Sequence, residues 1–256
     1  VTFLKPLLMG VVVVMAVLGG WYVTYPYGCF ALLLFFLFWG VIAASFIDLK
    51  MHERRCIRRC YIHPEGFAAR WLLSPFAVSL FFLAVSFLMA LSAFLAVIDF
   101  SWTIWAYLPM HAVIMLLLAR GIGRLFSAQV QAAYLPLFAR EWSINLSALF
   151  LVAVVFYVAY EGVVPAYLHT GLEETLRAAT NSTRSLCTLS DRVLRFHREL
   201  EAIAWWFMQK ESDMLSSELF RAGGWLLFLF YNSLAVLGIN RFIAEVLYLI
   251  DGRGKE

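Results

Sequence analysis

The sequence predicts an all-α fold: a polytopic membrane bundle of about six transmembrane helices. To it are added a long heptad-patterned extracytoplasmic helical segment and interfacial amphipathic helices. Three observations carry this. Hydrophobic residues make up 63% of the 256 and charged residues only 14%, against roughly half and about a quarter in an average soluble chain. Six apolar stretches approach the roughly 20 residues that cross a bilayer's hydrocarbon. Between the fifth and sixth, the pattern changes to a strict 3,4 repeat of apolar residues among charges.

The first span covers about Leu4–Thr24 and the second about Cys29–Ile47, joined by the turn Tyr25-Pro26-Tyr27-Gly28. The third, about Pro75–Ile98, meets charge only at Asp99. The fourth, about Trp102–Leu118, follows after Phe100-Ser101, so these two form a tight hairpin. The fifth is placed at about Ile144–Leu168. The sixth starts at Trp225, after Gly223-Gly224, and reaches at least Asn240. Trp21, Tyr22, Trp71, Trp102, Trp105, Trp142, Tyr167 and Trp225 fall near the ends, as an aromatic belt does at headgroup level.

Orientation follows from Lys and Arg in the connections. Segments 48–74 and 119–143, with the two terminal regions, hold thirteen basic residues against seven acidic ones; the opposite side holds seven against ten. Both termini are therefore expected in the cytoplasm of an inner (plasma) membrane. Residues 1–168 read as a bundle of five spans with two cytoplasmic amphipathic connections. Residues 169–222 read as the extracytoplasmic segment, and 223–256 as the sixth span with a cytoplasmic end. Val1 in place of Met fits a bacterial GTG start translated literally, and no signal peptide is visible before the first span. Four cysteines are too few for a disulfide framework. Reagents from outside are expected to reach Cys187 but not Cys56 or Cys60.

The heptad stripe comprises Leu186, Leu189, Val193, Phe196, Leu200, Ile203 and Phe207. Leu172, Leu176 and Ala179 extend the register backward, and charged residues flank it, as in a coiled-coil seam. As one helix, 172–214 would be about 65 Å long. Its stripe needs cover: a second copy, another subunit, or its own folded-back half. These seven residues are thus the candidate partner-binding surface. The competing reading is an amphipathic helix on the outer leaflet, favoured at the C-terminal part by Trp205-Trp206-Phe207-Met208.

On the inner side, Arg54, Arg55, Arg58 and Arg59 pair at helical spacing. They form a candidate patch for anionic lipid or an acidic partner face, or they simply set orientation. His52, Cys56, Cys60 and His63 overlap this patch, but positions eight apart on one helix lie about 12 Å apart. Packed thiols explain them better than a metal. Gly121–Trp142 places Phe126, Val130, Tyr134 and Leu137 on one face of a second interfacial helix.

An ionisable group inside a span is costly and therefore a candidate site. His111 lies near the middle of the fourth span. It serves a proton or ligand pathway, or it is a neutral ring tying two helices by one hydrogen bond. A haem would need a second histidine at that depth, and the sequence has none, so no cofactor is expected. Glu161, Pro165 and His169 fall four apart at the outer end of the fifth span, and Asp99 at the outer turn of the third; together they would ring a vestibule. Asn145, Ser147, Asn232 and Ser233 are placed to hydrogen-bond between helices, and Arg241 to pair with Glu245. No phosphate-binding glycine loop, catalytic triad or metalloprotease motif occurs. The expectation is a non-catalytic structural subunit of a larger inner-membrane assembly. Its partners would be lipids, other membrane subunits or a second copy, with no nucleic acid. The alternative is a small-solute or ion transporter or channel component with His111 and Glu161 on its pathway.

Overall fold

The structure, a computed structural model, describes residues 4–60, 75–132, 134–161, 165–210 and 218–250. Within these, the side chains of 4, 50–60, 75, 156, 158–161, 207–210 and 218–232 are not described. Every described element is helical. In chain order they are α1 (Leu4–Thr24), a short 3-10 turn (Cys29–Ala31), α2 (Leu32–Cys60), α3 (Pro75–Val97), α4 (Trp102–Leu125), α5 (Leu135–Glu161), α6 (Leu172–Ser182), α7 (Thr188–Lys210) and α8 (Glu218–Ile250).

Six helical stretches are long and apolar enough to cross a membrane: Lys5–Thr24, Cys29–Leu49, Phe76–Val97, Trp102–Leu125, Leu135–Val155 and Ser233–Ile250. Their outer faces carry Leu33, Phe36, Phe76, Phe81 and Phe150 exposed, a surface that suits hydrocarbon rather than water. The helices form because each span is a largely apolar run that satisfies its own backbone bonds. Pro75 opens α3 and Pro136 stands in the first turn of α5, where no intrahelical N–H is lost; Pro109 lies inside α4 and removes one backbone donor there.

α8 is the axis of the bundle. It packs on α1, α2, α3, α4 and α5, and its apolar window is 67% buried, against 33–44% for the other five. The Phe242 ring lies 4.4 Å from that of Phe38 in a tilted pair, and Phe38 in turn meets Phe94 at 4.9 Å. At Gly238 the α8 backbone approaches α3 closely: a Cβ there would lie 2.7 Å from the Met89 carbonyl oxygen.

Four expectations need correction. The fifth span is shifted toward the N-terminus, beginning at Leu135 and ending at Glu161. Arg140 and Glu141, which seemed to bar a span, are accommodated because Glu245 and Arg241 neutralise them from α8. Second, Gly121–Trp142 is no separate interfacial helix. It comprises the last turns of α4, a turn-rich link and the first turns of α5. Third, Glu161 ends its helix, so Pro165 and His169 do not continue its face. Fourth, 172–214 is not one helix. It breaks after Ser182, and α6 packs back on α7.

The break has a local cause. The Ser182 hydroxyl donates to the Ala179 carbonyl (2.6 Å) and Thr183 is extended, a side-chain alternative to continuing the ladder. The next residues are bound elsewhere: Leu186 N–H donates to Pro26 O (2.9 Å), and the Ser185 hydroxyl to Tyr25 O (2.5 Å). A disulfide joins Cys187 to Cys29. The start of α7 is thus fastened to the α1–α2 turn.

Candidate functional site

α7 lies across one end of the bundle, held at that turn and, about three helical turns further along, at the α3–α4 turn. Asp191 sits in its first turn, where it accepts from Ser185 N–H (3.1 Å) and pairs with Arg195 (2.8 Å). An acidic side chain there also suits the helix dipole.

The second anchor is a polar cluster. Arg198 is 9% exposed. Its guanidinium pairs with Asp99 of the α3–α4 turn, donates to Glu201 Oε2 (2.7 Å) and donates through Nε to Thr183 Oγ1 (2.9 Å). Burial alone would disfavour the Arg198 charge, but Asp99 and Glu201 outweigh it and hold the group protonated. Burial and the nearby Glu201 push the Asp99 carboxyl up to about 6, against the pull of Arg198. Burial lowers His197 below its ordinary value and so favours the neutral ring. Burial, with the charge of Glu201, also raises the Tyr167 hydroxyl, which sits beside that carboxylate. Asp99, His197 and Glu201 bring one ligand atom each to within 4.8 Å of one another.

The opposite side of α7 is open and carries an apolar stripe beside Arg192, Arg195 and Glu199. Leu186 is 82% exposed, Leu189 60%, Phe196 63% and Leu200 48%, with Val193 and Ile203 partly covered. The Phe207 side chain lies outside the described residues. Inside the chain, burial goes instead to Cys187, Ser190, Leu194, His197, Arg198 and Ala202. The heptad stripe is therefore left uncovered by its own chain, and the folded-back α6 does not cover it.

Within the bundle, His111 is fully buried. Its Nε2–H donates to Asn240 Oδ1 (2.6 Å), which also accepts from the Ser147 hydroxyl (3.1 Å); Asn240 Nδ2 donates to Ile144 O (2.6 Å). One network thereby ties α4, α5 and α8. The expected Arg241–Glu245 pair along α8 gives way to pairs between helices: Arg241 with Glu141 (3.0 Å) and Glu245 with Arg140 (3.1 Å). Arg241 also lies over the Phe46 ring at 3.6 Å. A cavity lined in part by Met115, Arg140, Ser143, Leu247 and Tyr248 adjoins this quartet.

Other candidates fall outside the described side chains. These are Glu161, the patch Arg54, Arg55, Arg58 and Arg59, and His52, Cys56 and Cys60; His63 lies outside the described residues altogether. The sequence reading missed the Cys29–Cys187 pair and the Arg198 cluster. Their only signals were one cysteine at the head of a span and another at the head of the charged helix, 158 residues apart. For the cluster, the signal was His197, Arg198 and Glu201 grouped on α7.

The fold defines the class: an all-helical, multi-pass membrane protein with a helical hairpin on one end. Compared with known protein families, curated proteins and solved structures, the chain matches none.

Proposed function

We propose that this chain is a non-catalytic integral membrane subunit of a larger inner-membrane assembly, and that it docks a protein partner through the α7 stripe. The observation that carries this reading is the exposure of Leu186, Leu189, Phe196 and Leu200 outside the six spans. Covering each such side chain contributes about 1.5–3 kcal/mol, enough over the stripe to drive association after ordering costs. The interior supports a scaffold over a pathway: His111 spends its Nε2–H on Asn240 in a packed helix junction.

We also infer that both termini are cytoplasmic and that α6 and α7 face the oxidising side. The arginine bias supports this, and so does the disulfide at that end, because such bonds persist outside the reducing cytosol. The bond also changes how orientation is tested. Cys187 is blocked until reduced. An impermeant maleimide applied to intact cells after mild reduction should label Cys29, the exposed member of the pair, but not Cys56 or Cys60; Cys187 is buried and is not the reporter. The reverse pattern would overturn the orientation.

The docking reading is tested by Phe196→Asp with Leu200→Asp. Both side chains are exposed, so the fold and membrane insertion should survive. Native purification in mild detergent should then yield the chain free of the protein that accompanies the wild type. Co-purification of that protein at unchanged stoichiometry would sink the reading. Loss only of liposome association would assign the stripe to the outer leaflet instead.

A further inference from the structure

We propose that Asp99, His197 and Glu201 form a binding site for one divalent transition-metal ion, with zinc the best chemical match. The donor set is one imidazole nitrogen and two carboxylate oxygens. That mixture suits zinc better than calcium or magnesium, which take oxygen ligands in larger numbers. His197 and Glu201 stand four apart on α7, so both project from one face of the helix. Asp99 reaches them from the α3–α4 turn. Their ligand atoms lie within 4.8 Å of one another. Zinc bonds of roughly 2.0–2.2 Å in a tetrahedron bring ligands to about 3.5 Å, so side-chain rotations of about an ångström complete the site.

Arg198 does not occupy it. The guanidinium takes Asp99 Oδ1 and Glu201 Oε2, and each carboxylate has a second oxygen that this arginine does not use. Arg198 then acts as an outer partner that orients the ligands, as such partners do in metal sites. The charges also fit. Two carboxylates outnumber one guanidinium, leaving a net negative site for a cation. The Tyr167 hydroxyl is buried beside Glu201, in reach of its carboxylate but without a well-formed hydrogen bond. Three protein ligands leave the fourth position of a tetrahedral ion to water, and a water there would give that hydroxyl a partner.

The ion would clip α7 to the α3–α4 turn and so hold the stripe in one direction. The metal site stands apart from the docking reading; either can fail alone. The test uses the full chain in detergent, stripped with chelator, incubated with zinc chloride, desalted and assayed by elemental analysis. One zinc per chain is expected. Asp99→Asn, Glu201→Gln and His197→Ala should each weaken retention at least tenfold, while Cys56→Ser with Cys60→Ser should leave it unchanged. No retained zinc, or retention undiminished in the three ligand variants, would overturn the site. X-ray absorption on the wild-type protein guards against variants that misfold. A shell of nitrogen and oxygen with imidazole scattering supports the proposal, and sulfur in the shell refutes it.

Discussion

Along Leu186–Ala202 the residues turned toward the bundle include Ser190, His197 and Arg198 beside Leu194 and Ala202, while those left outside include Leu186, Leu189, Phe196 and Leu200 beside Arg192, Arg195 and Glu199. A helix on a water-soluble core would turn such an apolar stripe inward. Two things explain why the stripe stays outside. The covalent and hydrogen-bonded fastening at Cys187, Ser185 and Leu186 sets which side of the helix meets the bundle. Arg198 can then be buried because three side chains take up its donors, and an unpaired buried charge would have been prohibitive. Direction on α7 is thus decided by its anchors, and the apolar face is left over as a surface. The opposite end of the bundle repeats the chemistry without an exposed stripe. There Arg140, Glu141, Arg241 and Glu245 pair between two spans that are already packed by their apolar sides.

The sharpest way to break this contrast is to remove the anchor charge. Arg198→Met would leave Asp99 and Glu201 facing each other without a counter-charge. Losing one partner of a buried pair costs about 3–5 kcal/mol, and the partial exposure of Asp99 puts the value near the lower end. Amide hydrogen exchange over 188–206 should accelerate by about a hundredfold, since each 1.4 kcal/mol is a factor of ten. Unchanged exchange would mean that the ion cluster does not hold α7.

A smaller effect is expected from Cys29→Ser. A disulfide typically contributes 2–4 kcal/mol by restricting the unfolded chain; membrane spans already restrict both ends, so about 2 kcal/mol is expected. Exchange should rise around 186–194 and leave α3 and α8 protected. If α3 and α8 loosen equally, the bond stabilises the whole bundle rather than the seat of α7.

Gly238→Ala should do the opposite. Its new methyl would press on the Met89 carbonyl, a backbone atom that has little room to yield; overpacking of this kind costs about 1–3 kcal/mol. Exchange should rise in α3 and α8 while α7 stays seated. Gly10→Ala is the paired control. Its nearest neighbour is the Leu247 side chain, which can turn away, so thermal unfolding should shift less than for Gly238→Ala.

The smallest effect belongs to the stripe. Leu189→Ser and Leu200→Ser in the isolated chain should each change stability by less than about 0.5 kcal/mol, as exposed sites do. A loss above 1 kcal/mol in thermal or chemical unfolding would show that the stripe already packs on its own chain.

The all-helical class, the number of spans and most of their limits were legible in composition and run length, because every span must satisfy its backbone internally and present apolar residues to lipid. Charge placement was misleading at Arg140. A span can carry buried charges when another span brings their partners, and those partners, Glu245 and Arg241, lie about a hundred residues away in sequence. The 3,4 pattern falls on a segment that is helical over Thr188–Lys210, because periodicity is a property of a single element. Which way that helix faces was not in the pattern. It depends on Cys29 meeting Cys187, on Asp99 meeting Arg198 and on the break at Ser182–Thr183, contacts whose free energy exists only once distant segments are brought together.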